Sequence, residues 1–163
     1  MTMDEILEIQ IGELLKQHHL TISTAESCTG GLIAHRLTNI AGSSTYVMGG
    51  AVTYSNEAKM KLLGVQESTL IAHGAVSEPT AAEMAIGARR LFDTSLSLSV
   101  TGIAGPGGGT ATKPVGLTFI GMAAEGLATP RVIKHVWNGD RVQNKEQSAD
   151  AALSLLLDYL KTL

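Results

Sequence analysis

Residues 24–31, with the sequence Thr-Ala-Glu-Ser-Cys-Thr-Gly-Gly, contain a carboxylate, two hydroxyls and a thiol in four consecutive positions. Ser27 is a candidate nucleophile, because a serine in a strand-to-helix turn has backbone amides nearby that can stabilise an oxyanion. Gly30 and Gly31 have no Cβ and let backbone N–H groups approach a ligand closely. The segment is therefore a candidate catalytic or anion-binding turn.

Two other interpretations of this turn stay open on spacing alone. The flanking residues do not match Gly-x-Ser-x-Gly, and capping of the following helix by Ser27 or Thr29 explains the same residue types. Cys28, the single cysteine, competes as a nucleophile because a helix start favours a thiolate. A lone cysteine is more often a small buried residue, so we rank Cys28 below Ser27.

A serine nucleophile needs a base to accept its proton. None of the five histidines lies in a motif typical of a base, whereas Lys59 ends the segment Tyr-Ser-Asn-Glu-Ala-Lys. A Ser–Lys pair can replace Ser–His–Asp, but a lysine at its ordinary pKa of about 10.4 is protonated at neutral pH. From the residues alone, a solvated helix lysine is the favoured interpretation of Lys59.

A second glycine-rich segment, residues 101–109, follows the clearest strand pattern of the chain. Its backbone N–H groups could hold a phosphate, and Lys113 and Arg141 could complete an anion site. The segment matches neither Gly-x-Gly-x-x-Gly nor a Walker loop, so a surface turn and, for Arg141, a capped helix start explain these residues equally well. The scattered acids predict no metal site.

Strand and helix patterns that must position these residues alternate along the chain. The sheet is expected to be mixed, because the last two strands are spaced for a hairpin. Gly49 and Gly50 predict a bulge or a close approach of the backbone, and Leu62 and Leu63 are expected to face inward. Strands are predicted at residues 20–25, 46–54, 96–100, 115–123 and 131–137, and helices at residues 3–18, 32–39, 55–63, 67–73, 81–92 and 140–160.

Composition narrows the class of protein. A chain of 163 residues with 44% hydrophobic and 17% charged residues fits one globular domain over residues 1–163, and 18 glycines with 4% aromatics favour an α/β architecture. A net charge of −3 gives no general attraction to nucleic acid or to acidic membranes. The single cysteine and the polar start of the chain predict a cytoplasmic protein, and no apolar run approaches the ~20 residues of a membrane span.

Five segments of the chain carry a family resemblance: residues 24–31, 41–44, 53–59, 73–79 and 101–106. Together, in one order and with similar spacing, they resemble the CinA carboxy-terminal domain family, and the resemblance covers nearly the whole chain from about residue 20. It implies a three-layer α/β/α fold with a mixed sheet, in a single-domain form without the amino-terminal molybdopterin-binding-like domain of longer members.

The same resemblance implies hydrolysis of the carboxamide of nicotinamide mononucleotide to nicotinic acid mononucleotide and ammonia, a step of pyridine nucleotide salvage. It implies no metal and a homo-oligomer, and we expect no cofactor. Ser27 would be the nucleophile and Lys59 the general base, which reverses the interpretation of Lys59 from the residues alone. Tyr54, Thr101 and Arg141 would also belong to the active site. The alternative is a non-catalytic nucleotide-binding or partner-docking module.

These considerations predict a complete site. Backbone N–H groups at residues 28–31 would hold the oxyanion, while the second glycine loop, Arg141 and Lys113 would hold the 5′-phosphate. The predicted catalytic residues are Ser27, Lys59, Tyr54 and Thr101. The predicted substrate-binding residues are Thr29, Gly30, Gly31, Asn56, Gly102, Gly105, Lys113 and Arg141.

Overall fold

A five-stranded mixed sheet forms the middle layer of the protein, in the strand order β2-β1-β3-β4-β5. The computed structural model describes residues 3–163, with side chains from residue 6 onward. The first three strands are parallel and the last two add as an antiparallel hairpin, so the predicted mixed sheet is confirmed. The strands are β1 (Ile22–Glu26), β2 (Val47–Val52), β3 (Leu96–Gly102), β4 (Leu117–Ala124) and β5 (Arg131–Val136).

Among the described residues, six α-helices cover the two faces of the sheet and confirm the three-layer α/β/α architecture. Helices α1, α2 and α6 pack together over one face, while α5 packs on the other face and contacts α3 and α4. None of the described helices is both long and apolar enough to cross a membrane. The helices are α1 (Met3–Gln17), α2 (Leu32–Thr38), α3 (Asn56–Leu63), α4 (Glu67–His73), α5 (Glu78–Phe92) and α6 (Arg141–Leu160).

Capping side chains start three of these helices. Each cap accepts a backbone N–H from the first turn, an interaction typically worth about 1 kcal/mol. The caps are Ser55 for α3, Ser77 for α5 and Asp140 for α6, the last in a reciprocal capping box with Gln143. Because α3 carries Lys59 and α6 begins at Arg141, these caps fix the starting points of two site-bearing helices.

Strand β3 is buried on both faces despite its alternating Leu and Ser residues. Ser97 and Ser99 are fully buried, and their hydroxyls donate to the carbonyl oxygens of Ala85 and Ala81 in α5 at 2.5 and 2.6 Å. A buried hydroxyl with an acceptor carries little desolvation penalty. The polar positions of β3 therefore attach the sheet to α5 instead of facing solvent.

The predicted bulge is confirmed at Met48, one residue before the glycine pair. The register of β1 against β2 runs from Ile22 opposite Val47 to Ser23 opposite Gly49, which leaves Met48 unpaired. The inward orientation expected for Leu62 is wrong, since this side chain is 43% exposed. Leu63 takes the position against α5 instead and is buried as expected.

Candidate active site

Ser27 lies at the carboxyl edge of the sheet, immediately after β1. Its backbone N–H donates to the carbonyl of Val100 in β3 at 2.9 Å, and its side chain is 8% exposed. Gly30 and Gly31 adopt φ angles of 63° and 101°, which turn the chain into α2 and which residues with a Cβ rarely adopt. The predicted strand-to-helix turn is therefore present and presents Ser27 at the end of a central strand.

Lys59 lies directly beside Ser27. Its Nζ is 3.0 Å from Ser27 Oγ and donates to the carbonyl oxygen of Thr53 at 2.8 Å. The solvated interpretation is wrong, because Lys59 is 1% exposed. Burial lowers the pKa of Lys59 from its ordinary value of 10.5, since an ammonium group without water is penalised. A neutral Lys59 amine can donate to Thr53 and still offer its lone pair to the Ser27 hydroxyl.

A cavity of about 270 Å³ opens beside this pair. Its walls come from the turn after β1, the start of α3, the segment before α5, the loop after β3 and the start of α6. Seven of the predicted site residues share this cavity, namely Ser27, Tyr54, Lys59, Thr101, Gly102, Gly105 and Arg141. Residues as far apart in the sequence as Ser27 and Arg141 thus lie at one concave site.

The Thr101 hydroxyl lines the cavity, and its proton is used in a hydrogen bond within the protein. The side chain is 1% exposed, and its hydroxyl donates to the carbonyl oxygen of Ala75 at 2.7 Å. Because the hydroxyl proton is committed, Thr101 can act on a further partner only as an acceptor. Ala75 and Val76 also line the cavity. They belong to the segment 73–79 that carries the family resemblance, but they were not predicted as site residues, since Ala75 acts through a main-chain carbonyl.

Tyr54 and Arg141 meet at the rim of the cavity. Arg141 donates from Nη2 to the Tyr54 hydroxyl at 2.8 Å and from Nη1 to the carbonyl oxygen of Gly105 at 2.7 Å. Tyr54 is 61% exposed and Arg141 is exposed. Among the described residues, the ion pairs do not include Arg141. Its guanidinium therefore presents a positive charge next to the cavity.

Cys28 also lines the cavity, but its thiol is poorly suited to nucleophilic attack. Burial raises the pKa of Cys28 to about 11, and the negative charge of Glu26 acts in the same direction. A thiol with that pKa is protonated at neutral pH, whereas the thiolate is the nucleophilic form. The lower rank given to Cys28 agrees with this environment.

The amides at the start of α2 are partly occupied. The Glu26 carboxylate accepts the N–H groups of Ile33 and Ala34, and Gly30 donates its N–H to the Ser27 carbonyl. Within the described chain, the amides of Cys28 and Thr29 donate to no backbone carbonyl. Of the amides at residues 28–31 that were expected to bind the oxyanion, the Gly30 amide is therefore excluded, because it already donates to the Ser27 carbonyl.

Five predicted substrate-binding residues lie outside the cavity wall. Thr29 is buried and its hydroxyl donates to Glu26 at 2.7 Å, whereas Asn56 is exposed at the first position of α3. Lys113 donates to the carbonyl of His73 and lines a separate cavity. Gly30 and Gly31 shape the turn by their backbone angles. A contact of any of these residues with substrate stays a prediction.

The chain is similar in sequence to a protein family and to known proteins. The model of the CinA C-terminal domain family matches residues 4–160. The chain is 56% identical over 161 residues to a CinA-like protein of Chloroherpeton thalassium and 55% identical over 157 residues to a CinA-like protein of Syntrophus aciditrophicus. These matches cover 98% and 96% of this chain, but only 38% and 37% of those relatives.

Two solved structures superimpose closely on the fold. The competence/damage inducible protein CihA from Agrobacterium tumefaciens is 43% identical with a TM-score of 0.89, and the match covers 97% of this chain and 95% of that one. A competence-damaged protein (CinA) superfamily protein from Klebsiella pneumoniae is 30% identical with a TM-score of 0.93, covering 99% and 100% of the two chains.

Proposed function

The chain belongs to the CinA C-terminal domain family, and from this membership and the site geometry we propose that it is a nicotinamide-nucleotide amidohydrolase. The proposed substrate is nicotinamide mononucleotide, and the products are nicotinic acid mononucleotide and ammonia in pyridine nucleotide salvage. The observation that carries the proposal is the 3.0 Å approach of buried Lys59 Nζ to Ser27 Oγ. A buried amine beside a hydroxyl is the arrangement that a Ser/Lys nucleophile requires.

The proposed reaction has two halves. Ser27 Oγ attacks the carboxamide carbon while the neutral amine of Lys59 accepts the hydroxyl proton. The resulting ammonium returns a proton to the departing nitrogen, the C–N bond breaks, and ammonia leaves an ester on Ser27. Water then attacks the ester with Lys59 again as the base, which releases the carboxylate and restores the serine.

Backbone donors would stabilise the oxyanion of each half-reaction. The amides of Cys28 and Thr29 adjoin Ser27 and use no backbone acceptor in the described chain. A donor of this kind is typically worth about 3 kcal/mol in the transition state. Thr101, which can only accept, is suited to an N–H of the substrate carboxamide.

Arg141 is the proposed anchor of the 5′-phosphate. It lines the cavity, and it donates hydrogen bonds to neutral oxygens of Tyr54 and Gly105. A planar guanidinium can bind phosphate oxygens in pairs. The Gly107 and Gly108 backbone of the same cavity would supply further donors.

The decisive experiment measures ammonia release from nicotinamide mononucleotide. We expect turnover by the wild-type chain, loss of about a thousandfold or more in Ser27→Ala, and retained turnover in Cys28→Ala. Full turnover by Ser27→Ala would contradict the mechanism. Binding of the nucleotide by calorimetry without ammonia release would instead favour the nucleotide-binding module.

The proposal includes the compartment and the assembly expected from the sequence. Cys28 is free and buried, which suits the reducing cytoplasm where disulfides rarely persist. A homo-oligomer is proposed from the family resemblance.

A further inference from the structure

Glu26 is a buried carboxylate one residue before the nucleophile. The residue is 1% exposed, and both of its carboxylate oxygens accept hydrogen bonds. Oε1 accepts from the Thr29 hydroxyl at 2.7 Å and from the Ile33 N–H at 2.9 Å. Oε2 accepts from the Ala34 N–H at 3.0 Å and from the Thr24 hydroxyl at 3.4 Å. The side chain thereby fastens β1, the turn and the first residues of α2 to one another.

The backbone of Glu26 leads to the base as well. Its carbonyl oxygen accepts the Thr53 N–H at 2.8 Å, and the Thr53 carbonyl accepts Lys59 Nζ at 2.8 Å. Lys59 Nζ in turn lies 3.0 Å from Ser27 Oγ. Glu26, Thr53, Lys59 and Ser27 therefore form a closed ring of covalent and hydrogen bonds around the reacting hydroxyl.

We propose that Glu26 is the positioning residue of this site, holding Ser27 and Lys59 in register by anchoring the turn to α2. The proposal rests on the proposed amidohydrolase function. Glu26 does not line the cavity, so it acts through Ser27 and makes no substrate contact. It also consumes the amides of Ile33 and Ala34, so the start of α2 is satisfied within the protein.

A carboxamide cannot reproduce this anchor. Every group that faces the two oxygens of Glu26 is a donor, whereas the NH₂ group of glutamine only donates. A glutamine would therefore direct a donor at the N–H of Ile33 or Ala34 at a position that is only 1% exposed. Small displacements of a nucleophile reduce the rate of attack more than they reduce binding.

Glu26→Gln and Glu8→Gln form a matched pair for the test. Glu8 is also a buried carboxylate, 4% exposed, but it pairs with Arg36 away from the cavity. With nicotinamide mononucleotide, we expect Glu26→Gln to lose about thirtyfold or more in kcat with KM within about twofold, and Glu8→Gln to keep kcat within about twofold. An unchanged kcat in Glu26→Gln, or an equal loss in both variants, overturns the proposal.

Amide hydrogen exchange tests the anchor without requiring activity. In Glu26→Gln, the peptide covering residues 28–37 should exchange about tenfold faster, while peptides of α5 keep their protection. Unchanged exchange in residues 28–37 overturns the positioning role. If Glu26→Gln does not fold, Glu26→Asp, which keeps the charge but shortens the reach, is measured in the same way.

The two readouts separate the two hypotheses. If the wild-type chain releases no ammonia from nicotinamide mononucleotide, the proposed function fails. The exchange measurement still decides whether Glu26 anchors the turn.

Discussion

Lys59 shows how burial alone can prepare a base at the scale of one residue. Its pKa is lowered by the loss of hydration, while a thiolate at Cys28 would act in the opposite direction. Cys28 has a raised pKa and stays protonated, so this opposing effect is absent at neutral pH. The same burial thus favours a neutral amine and a neutral thiol side by side.

The pH dependence of the reaction follows from Lys59. We expect kcat/KM for nicotinamide mononucleotide to rise with pH, because only the deprotonated amine accepts the Ser27 proton, with a midpoint below the ordinary pKa of 10.5. Lys59→Met should lose about a thousandfold and the rising limb, while Lys61→Met, at an exposed position of the same helix, should keep both. A flat profile, or the same rising limb in Lys59→Met, would refute Lys59 as the base.

Cys28 should make the stability of the fold depend on alkaline pH. Its pKa rises from 9.0 in the unfolded chain to about 11 in the folded one. The associated stabilisation is complete below pH 9 and is lost as pH rises through 11. Urea unfolding of wild type and Cys28→Ala should show that the wild type loses about 2 to 3 kcal/mol more between these pH values. Parallel decreases in the two proteins would contradict the buried, protonated thiol.

Sequence reasoning at this scale identified residue types but not their surroundings. Ser27 and Lys59 were predicted as a pair only through the family resemblance, because Lys59 and Lys61 lie on the same amphipathic helix and packing decides which one is buried. Glu26 was visible as a carboxylate in the turn, yet its role depends on where α2 begins. Its carboxylate accepts main-chain amides seven and eight residues further along the chain, a spacing that matches no capping pattern.

Close backbone contacts between helices position the residues of the site. Gly87 of α5 is one such contact, since a Cβ at this position would lie 2.0 Å from the Leu63 carbonyl oxygen at the end of α3. The glycine therefore lets α3, and with it Lys59, lie directly against α5.

A methyl group at Gly87 should push these two helices apart. We expect Gly87→Ala to lower the free energy of unfolding by about 2 kcal/mol or more, in spite of the higher helix propensity of alanine. Ile86→Ala, at a 45% exposed position of the same helix, is the control. A Gly87→Ala stability equal to wild type in urea unfolding would contradict the tight packing of α3.

Arg141 is the first residue of α6 and lines the cavity. If Arg141 binds the phosphate, Arg141→Ala should raise KM for nicotinamide mononucleotide about tenfold or more. The same variant should treat nicotinamide riboside, which has no phosphate, much as the wild type does. Steady-state kinetics with both substrates make the comparison, and an equal change for both would place Arg141 outside the phosphate site.

Sequence patterns predicted well those elements that depend on interactions between residues close together in the chain. The caps of α3, α5 and α6 and the hairpin of β4 and β5 follow from short-range hydrogen bonding and turn chemistry. The prediction failed where packing decides. Leu62 was expected inside but lies outside, because α3 presents Leu63 to α5.

On the scale of the whole molecule, one residue links the three helices on one face of the sheet. Arg36 of α2 bonds to Glu8 of α1 and to Asp150 of α6. Composition predicted an α/β architecture and the family resemblance implied three layers, but neither predicted ion pairs between helices distant in sequence. The site likewise needs five separate segments, and only the family resemblance joined these before the fold was known.

The two edge strands, β2 and β5, leave the sheet open at both sides. Unpaired edges favour association with another chain unless they are covered, which agrees with the proposed homo-oligomer. Light scattering coupled to gel filtration should give a mass of at least twice the monomer. A monomeric mass at concentrations where ammonia release is measured would contradict the assembly.

The neutral partners of Arg141 have a consequence for inhibition. When a dianion binds, its oxygens replace those of Tyr54 and Gly105 as the hydrogen-bond acceptors of Arg141. Among the described residues, no ion pair of Arg141 has to be broken for this exchange. Small dianions such as inorganic phosphate should consequently compete with the nucleotide at this rim. Because Arg141 is exposed, that competition should weaken as ionic strength rises and screens the charge. The ionic composition around the protein would then set how strongly it holds its substrate.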